Sequence, residues 1–157
     1  MARPTSAITE GNALMVFYKD ASTTGSGQTI AFATSNSLSI STETDETMTK
    51  DTGLSPYTTT KYNTWEVTCD NLYTEDFGSL YALQRDMKPV ELKFGTPANY
   101  STNRTSGVSG STNWTVPSTG NYFSGTAVIT SLELNADSGD NATFTVTFKG
   151  QSPLAYN

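Results

Sequence analysis

The sequence predicts an all-β domain flanked by one helix, and three observations carry that reading. Threonine and serine number 28 and 18 of 157 residues, and threonine favours the pleated strand. Apolar residues recur at every second position in several short runs, the period of a half-buried strand. One segment alone has the apolar spacing and end charges of a helix. The length suits a single domain over 1–157 with one core.

Taken in order, Ala13–Lys19 (ALMVFYK) is a compact apolar run closed by the turn-forming DASTTGSG, and predicts a buried first strand carrying Phe17. QTIAFATSNSLSIST predicts two strands or one bent strand, with Ile30 and Phe32 on one parity, Leu38 and Ile40 on another, and a break at Ser35–Ser37. ETDETMTKD has no apolar face: Glu43 and Asp45 share one side, Thr42, Thr44 and Glu46 the other. It predicts a solvated loop or a hairpin arm, at about 42–63, that finds its partner on another chain. DTGLSPYTTTKYN follows as a turn-rich stretch.

In TWEVTCDNLY, Trp65, Val67 and Cys69 alternate with Glu66, Thr68 and Asp70, the pattern of a strand buried on one face. Thr74 can then cap a helix through Met87: Glu75 and Asp76 sit in its first turn, Arg85 and Lys88 near its end, and Phe77, Leu80, Tyr81 and Leu83 form its apolar stripe. Pro89 stops it. Val90, Leu92 and Phe94 mark the next strand. Residues 96–120 form a long Ser/Thr/Asn/Gly stretch, mobile or pinned by a neighbour. The end reads as a hairpin, Tyr122–Asn135 and Ala142–Lys149, with Phe144, Val146 and Phe148 inward and Gly125 at a bulge. The sum is about seven strands and one helix. The core expected from these patterns is Phe17, Trp65, Val67, Cys69, Leu80, Leu92, Phe144 and Val146.

Composition excludes much chemistry. With no histidine and one cysteine, the chain has no Ser-His-Asp or Cys-His catalysis, no histidine or cysteine-pair metal site and no disulfide of its own. A net charge of −6 is the wrong sign for gripping phosphate backbones. The opening MARPTSAITEGN lacks the apolar core of a signal peptide and no run is long enough to span a membrane, so neither an export signal nor a membrane partner is expected.

The remaining constellations have plainer readings. Asp137–Asn141 offers oxygens to calcium but is what a tight turn requires. Four Asn-x-Ser/Thr triplets, at Asn99, Asn103, Asn113 and Asn141, follow from composition. Cys69 shares parity with Trp65 and Val67 and reads as core. The pairs Glu43 with Asp45 and Glu66 with Asp70 read as surface acids rather than glycosidase carboxylates. Trp65, Trp114, Tyr57, Tyr62, Tyr100 and Tyr122 offer the aromatics of a sugar platform, so a carbohydrate-binding or adhesin-like module stands as the alternative function. No enzyme activity and no cofactor are expected.

The order of parts resembles the tail tube (major tail) proteins of tailed phages, especially those typified by lactococcal siphophages. The carriers are the Ser/Thr segment from Leu38 to Asp51, the terminal hairpin in which Phe123, Ser124 and Gly125 precede Ile129–Leu132, and the closing Gly150, Pro153 and Leu154. The resemblance implies a β-sandwich or distorted barrel of two packed sheets beside one helix. It also implies a virion protein, assembled in the host cytoplasm, whose hexameric rings stack into a hollow tube for DNA. Its partners are then further copies of itself and the tape measure, terminator and baseplate or distal tail proteins. On that reading Glu43, Asp45 and Glu46 line the lumen and repel passing DNA. Lys50, Asp51, Leu54, Tyr57, Lys61 and Tyr62 contact neighbouring subunits or rings.

Overall fold

In the computed structural model, residues 11–22, 24, 27–30, 33–51, 53–74, 76–100, 114–118 and 120–157 are described. Eight strands and one helix follow in the order β1 (Met15–Asp20), β2 (Gln28–Thr29), β3 (Ala33–Thr47), β4 (Tyr57–Leu72), α1 (Asp76–Arg85), β5 (Val90–Gly95), β6 (Tyr122–Asn135), β7 (Thr143–Gly150) and β8 (Ala155–Tyr156). A 3-10 turn, Gly11–Ala13, precedes β1. The strands form one antiparallel sheet, β2-β1-β5-β6-β7-β4-β3, with β8 added to β6. Of the forms expected, this is the distorted barrel: one hydrogen-bonded path curling over one core. The curl brings β3 and the start of β1, far apart in strand order, within reach, and Asn36 Nδ2 donates to the Leu14 carbonyl at 3.4 Å.

The core lies on the inner face. Val16, Tyr18, Trp65, Val67, Cys69, Val90, Leu92, Ala127, Phe144, Val146 and Phe148 come from β1, β4, β5, β6 and β7, and Leu80 of α1 closes over them. Phe77 of α1 meets the Phe144 ring edge-on at 5.4 Å. Truncating a buried phenylalanine of this kind to alanine costs about 3–5 kcal/mol. Trp65 is held at one end of the core, where its Nε1 donates to the Ser152 carbonyl at 2.7 Å. There the chain after β7 folds back along β6, with Gln151 N donating to Thr126 O and Thr126 N to Ser152 Oγ.

Several expectations are corrected. Ser35–Ser37 is not a break: β3 runs straight through it, paired with Asp70, Cys69 and Thr68. β2 ends at Thr29 and β3 begins at Ala33, Ala31 and Phe32 lie outside the described residues, and a bulge sits at Thr34. Gly125 is not bulged either. The irregularity in β6 is at Thr130, and Gly125 is instead the position against which the Trp65 ring lies.

Tyr57–Asn63, read as turn-rich, is strand, as its threonines and tyrosines favour. The hairpin partner of Thr42–Thr47 is therefore in the same chain. The helix is shorter than Thr74–Met87. Met87, at φ 55°, ends it: Met87 N donates to Gln84 O and Lys88 N to Leu83 O, the paired bonds of a Schellman cap. Glu75 lies outside the described residues.

Phe17 is buried, but on the outer face. Its register partner Lys93 alternates with the core residues Leu92 and Phe94. There it lines a cleft of about 150 Å³ with Lys19, Glu91, Val116 and Pro117. The segment 114–118 thus shelters the outer face of β1 and β5.

Candidate functional site

The hairpin of β3 and β4 extends well past the core. Its register runs from Ala33↔Asn71 to Thr47↔Tyr57, yet every described residue from Ser39 to Asp51 and from Gly53 to Asn63 is exposed. Polar Ser, Thr, Asp and Glu residues let a two-stranded ribbon stand in water without a core of its own. The ribbon nonetheless carries Ile40, Met48, Leu54, Tyr57 and Tyr62, half of the large exposed apolar residues among those described. Leu54 at the tip is fully exposed. Exposed apolar side chains gathered on one projection mark a contact surface.

A bulge orders this arm. Glu43 pairs with Tyr62 and Thr44 with Thr60, so Lys61 is the extra residue. Tyr57 and Tyr62, five positions apart, belong on opposite faces of a regular strand. Lys61 absorbs one position and puts both on the face of Glu43, Asp45 and Thr47. Its ammonium reaches Asp45 at 2.9 Å, an exposed pair contributing at most about 1 kcal/mol.

On the outer face of β3, β4, β7 and β6, Ser35, Ser37, Ser39, Glu66, Asp70, Ser131, Glu133 and Lys149 are exposed. Register places Ser35, Asp70, Thr145 and Glu133 in one cross-strand row, Ser37, Thr68, Thr147 and Ser131 in the next, and Ser39, Glu66, Lys149 and Val128 in a third. Small hydroxyls dominate. The Thr145 hydroxyl and the Asp70 carboxylate are 2.8 Å apart, the former donating. The signal for this face is present in the sequence as serine at positions 35, 37, 39 and 41, although the break expected at Ser35–Ser37 interrupts it.

The structure divides the proposed lumen residues. Glu43 and Asp45 share the outer face and Glu46 faces the opposite way, all three exposed. Among the proposed contacts, Tyr57 and Tyr62 share one face of the arm with Lys61 at the bulge between them, while Lys50, Asp51 and Leu54 lie in the exposed tip. Glu66 and Asp70 are exposed on one face beside Lys149 and Thr145.

The aromatics weighed as a sugar platform are dispersed: Trp65 is buried, Tyr57 and Tyr62 are on the arm, Tyr122 faces the Lys93 ammonium, and Tyr100 stacks on Trp114 at 6.0 Å. The last pair clasps the base of the 96–120 stretch, helped by Ala98 N to Thr115 O and Thr115 N to Asn99 Oδ1. Residues 101–113, with Asn103 and Asn113, lie outside the described residues.

Asp137–Asn141 is the β6–β7 turn, with Gly139 at φ 91° and Asp140 N bonded to Asp137 O. No metal-binding cluster occurs among the described residues, nor is any of their helices long and apolar enough to cross a membrane. In the cleft beside Phe17, Lys19 is 3.5 Å from Glu91. Burial, with the Asp70 charge second, pushes the Cys69 thiol up to about 12, so it is held as a neutral core side chain.

No family model matches the chain, and no curated protein matches it in sequence. Solved structures do match its fold. A chain described as the tail of an empty gene transfer agent particle, with C6 symmetry, superposes with a TM-score of 0.69 at 13% identity, covering 96% of this chain and 99% of that one. A chain from the virion of a native gene transfer agent gives 0.64 at 11% identity, with 96% and 99% covered. A third, from the six-fold symmetrised baseplate of the anti-feeding prophage, gives 0.56 at 12% identity, with 100% and 94% covered. The chain therefore shares, end to end, the all-β fold of chains from phage-like tail and baseplate assemblies.

Proposed function

We propose that this chain is a structural subunit of a virion tail, a tail tube protein of the siphophage major tail type whose copies form hexameric rings stacked into a conduit for DNA. The observation that carries the reading is the full-length fold match to a chain from a six-fold symmetric tail. The arm supports it: among the described residues nothing covers this polar ribbon, and its Leu54, Tyr57 and Tyr62 are exposed.

In this reading Lys50, Asp51, Leu54, Tyr57, Lys61 and Tyr62 meet adjoining subunits or rings. Glu43, Asp45 and Glu46 are the candidates for the acidic lumen. The tape measure, terminator and baseplate or distal tail proteins are the further partners, DNA passes without sequence-specific contact, and assembly takes place in the host cytoplasm. The domain is one unit, with the arm and the 96–120 stretch as its projections.

The test is to replace Thr44–Lys61 by Asn-Gly, which closes the register pair Glu43↔Tyr62 with a two-residue turn. The expected product melts as the parent does, while negative-stain electron microscopy finds tubes of the parent and none of the variant. Tubes formed by the shortened chain overturn the role of the arm. A parent chain that stays monomeric at high concentration and with tail initiator proteins added overturns the tube.

A further inference from the structure

We propose that the ridge of Tyr73, Phe77, Tyr81 and Arg85, running along α1, is the seat on which the arm of a second copy of this chain docks. The seat rests on the tube reading above and names the surface that receives the arm.

The four residues recur at every fourth position, the spacing that lines side chains up along one side of a helix. The rings of Tyr73 and Phe77 lie 5.6 Å apart, and the Arg85 guanidinium stands 6.0 Å from the centre of the Tyr81 ring. Phe77 is half-buried and roots the ridge on Phe144 of the core. Tyr73 and Tyr81 are each 51% exposed. Tyrosine and arginine are the residues on which binding energy concentrates. At the end of the helix Met87, another residue that interfaces favour, is 87% exposed on a backbone held at φ 55°. Among the described residues nothing repays that conformation.

Three observations select the arm as the occupant. Apart from Tyr156, every large exposed apolar residue among those described lies either on the arm or in one of Tyr73, Tyr81, Met87 and Leu134. Leu134 belongs with the ridge, as the register partner of the Phe144 on which Phe77 packs. The chain thus presents two apolar surfaces of different make.

Strand β4 holds the two apart. Tyr57 opens it on the arm and Leu72 closes it directly before Tyr73, about 50 Å away at the rise of an extended strand. A chain cannot lay its arm on its own ridge. Two unlike surfaces at opposite ends of one subunit are what head-to-tail assembly of identical copies requires.

Charge agrees with this pairing. Tyr57 and Tyr62 share their face of the arm with Glu43 and Asp45, while the ridge ends in Arg85. The Arg85 Nε donates to Asp86 at 3.2 Å, and its terminal nitrogens meet no acceptor among the described residues. A guanidinium so placed is suited to an incoming carboxylate.

The test places p-benzoylphenylalanine at Tyr81 and assembles that variant with an excess of isotope-labelled parent chain. Irradiated tubes should yield an adduct that joins the unlabelled peptide around position 81 to a labelled peptide from 39–63. An adduct to any other labelled segment, or none between copies, overturns the seat while leaving the tube intact. Tyr81→Ala gives an independent reading: the free chain should melt as the parent does, and the concentration needed for tubes should rise by about tenfold, as loss of an interface tyrosine entails. An unchanged threshold overturns the seat as well. A parent chain that forms no tubes, even with tail initiator proteins, overturns the tube reading, and the seat falls with it.

Discussion

The indole of Trp65 lies flat in the space where any side chain at Gly150 would stand. A Cβ built on Gly150 collides with the indole nitrogen and the fused ring carbons, and one on Gly125 comes within 2.6 Å of Cζ2. Two neighbouring strands, β6 and β7, thus each give up a side chain to admit one ring. Gly150→Ala should cost about 1–3 kcal/mol, the range for overpacking a filled core. Urea titration followed by circular dichroism checks it: the midpoint should fall with the slope unchanged.

At the end of α1, Met87 holds a left-handed conformation that an L side chain adopts at a cost of roughly 1–2 kcal/mol. Its side chain is almost fully exposed, so it recovers little by packing. Met87→Gly should stabilise the domain by about 1 kcal/mol, whereas Met87→Ala should leave it unchanged or slightly worse. Paired thermal melts separate the two, and equal shifts in both variants would contradict the backbone explanation.

Asp20 predicts a specific acid response. The Ser22 amide, then the Ser22 hydroxyl and Lys88 at 3.5 Å, hold its carboxyl below the ordinary value of 3.8. A carboxyl with a depressed value in the fold stabilises the fold fully above its unfolded value, and that stabilisation is lost as pH falls through the folded one. The stability difference between the parent and Asp20→Asn should therefore be constant near neutrality and vanish as pH drops below 3.8. A difference that grows on acidification would contradict the sign.

Cys69, fully buried with its thiol pushed up to about 12, should resist a thiol reagent such as DTNB at pH 8 for as long as the chain stays folded. Its reaction rate in dilute urea should track the population of opened chains. Rapid stoichiometric labelling in buffer would show that β4 opens locally.

Much of the fold was legible from parity. Trp65-Val67-Cys69 and Phe144-Val146-Phe148 alternate because one sheet face is buried, and the pattern needs no knowledge of neighbours. What depended on pairing was not legible. Ser35–Ser37 has the composition of a loop, and it is strand because Asp70, Cys69 and Thr68 stand opposite. Phe17 announces burial without saying on which side, and its cover, Val116 and Pro117, comes a hundred residues later. Gly125 reads locally as a bulge; the ring that requires it is 60 positions away.

Of the candidate site, the acids and the arm were visible as residues lacking a core. The parting of Glu43 and Asp45 from Glu46 was legible too, from parity alone, whereas the gathering of Tyr57 and Tyr62 on the face of Glu43 depends on the bulge at Lys61. The hydroxyl face was spelled out in alternate serines, but such a signal is indistinguishable from a linker until a partner strand is known.

The extra residue at Lys61 acts on the arm as a frame shift acts on a message. With Lys61 outside the ladder, Thr44 stands opposite Thr60 and Tyr57 shares a face with Tyr62. Were Lys61 drawn into regular pairing opposite Thr44, every residue from Thr60 to Tyr57 would slip by one partner and the two tyrosines would face apart. Substitution at the arm therefore tunes single contacts, whereas a slip of one position exchanges one surface for another. The arm's identity lies as much in its count as in its chemistry.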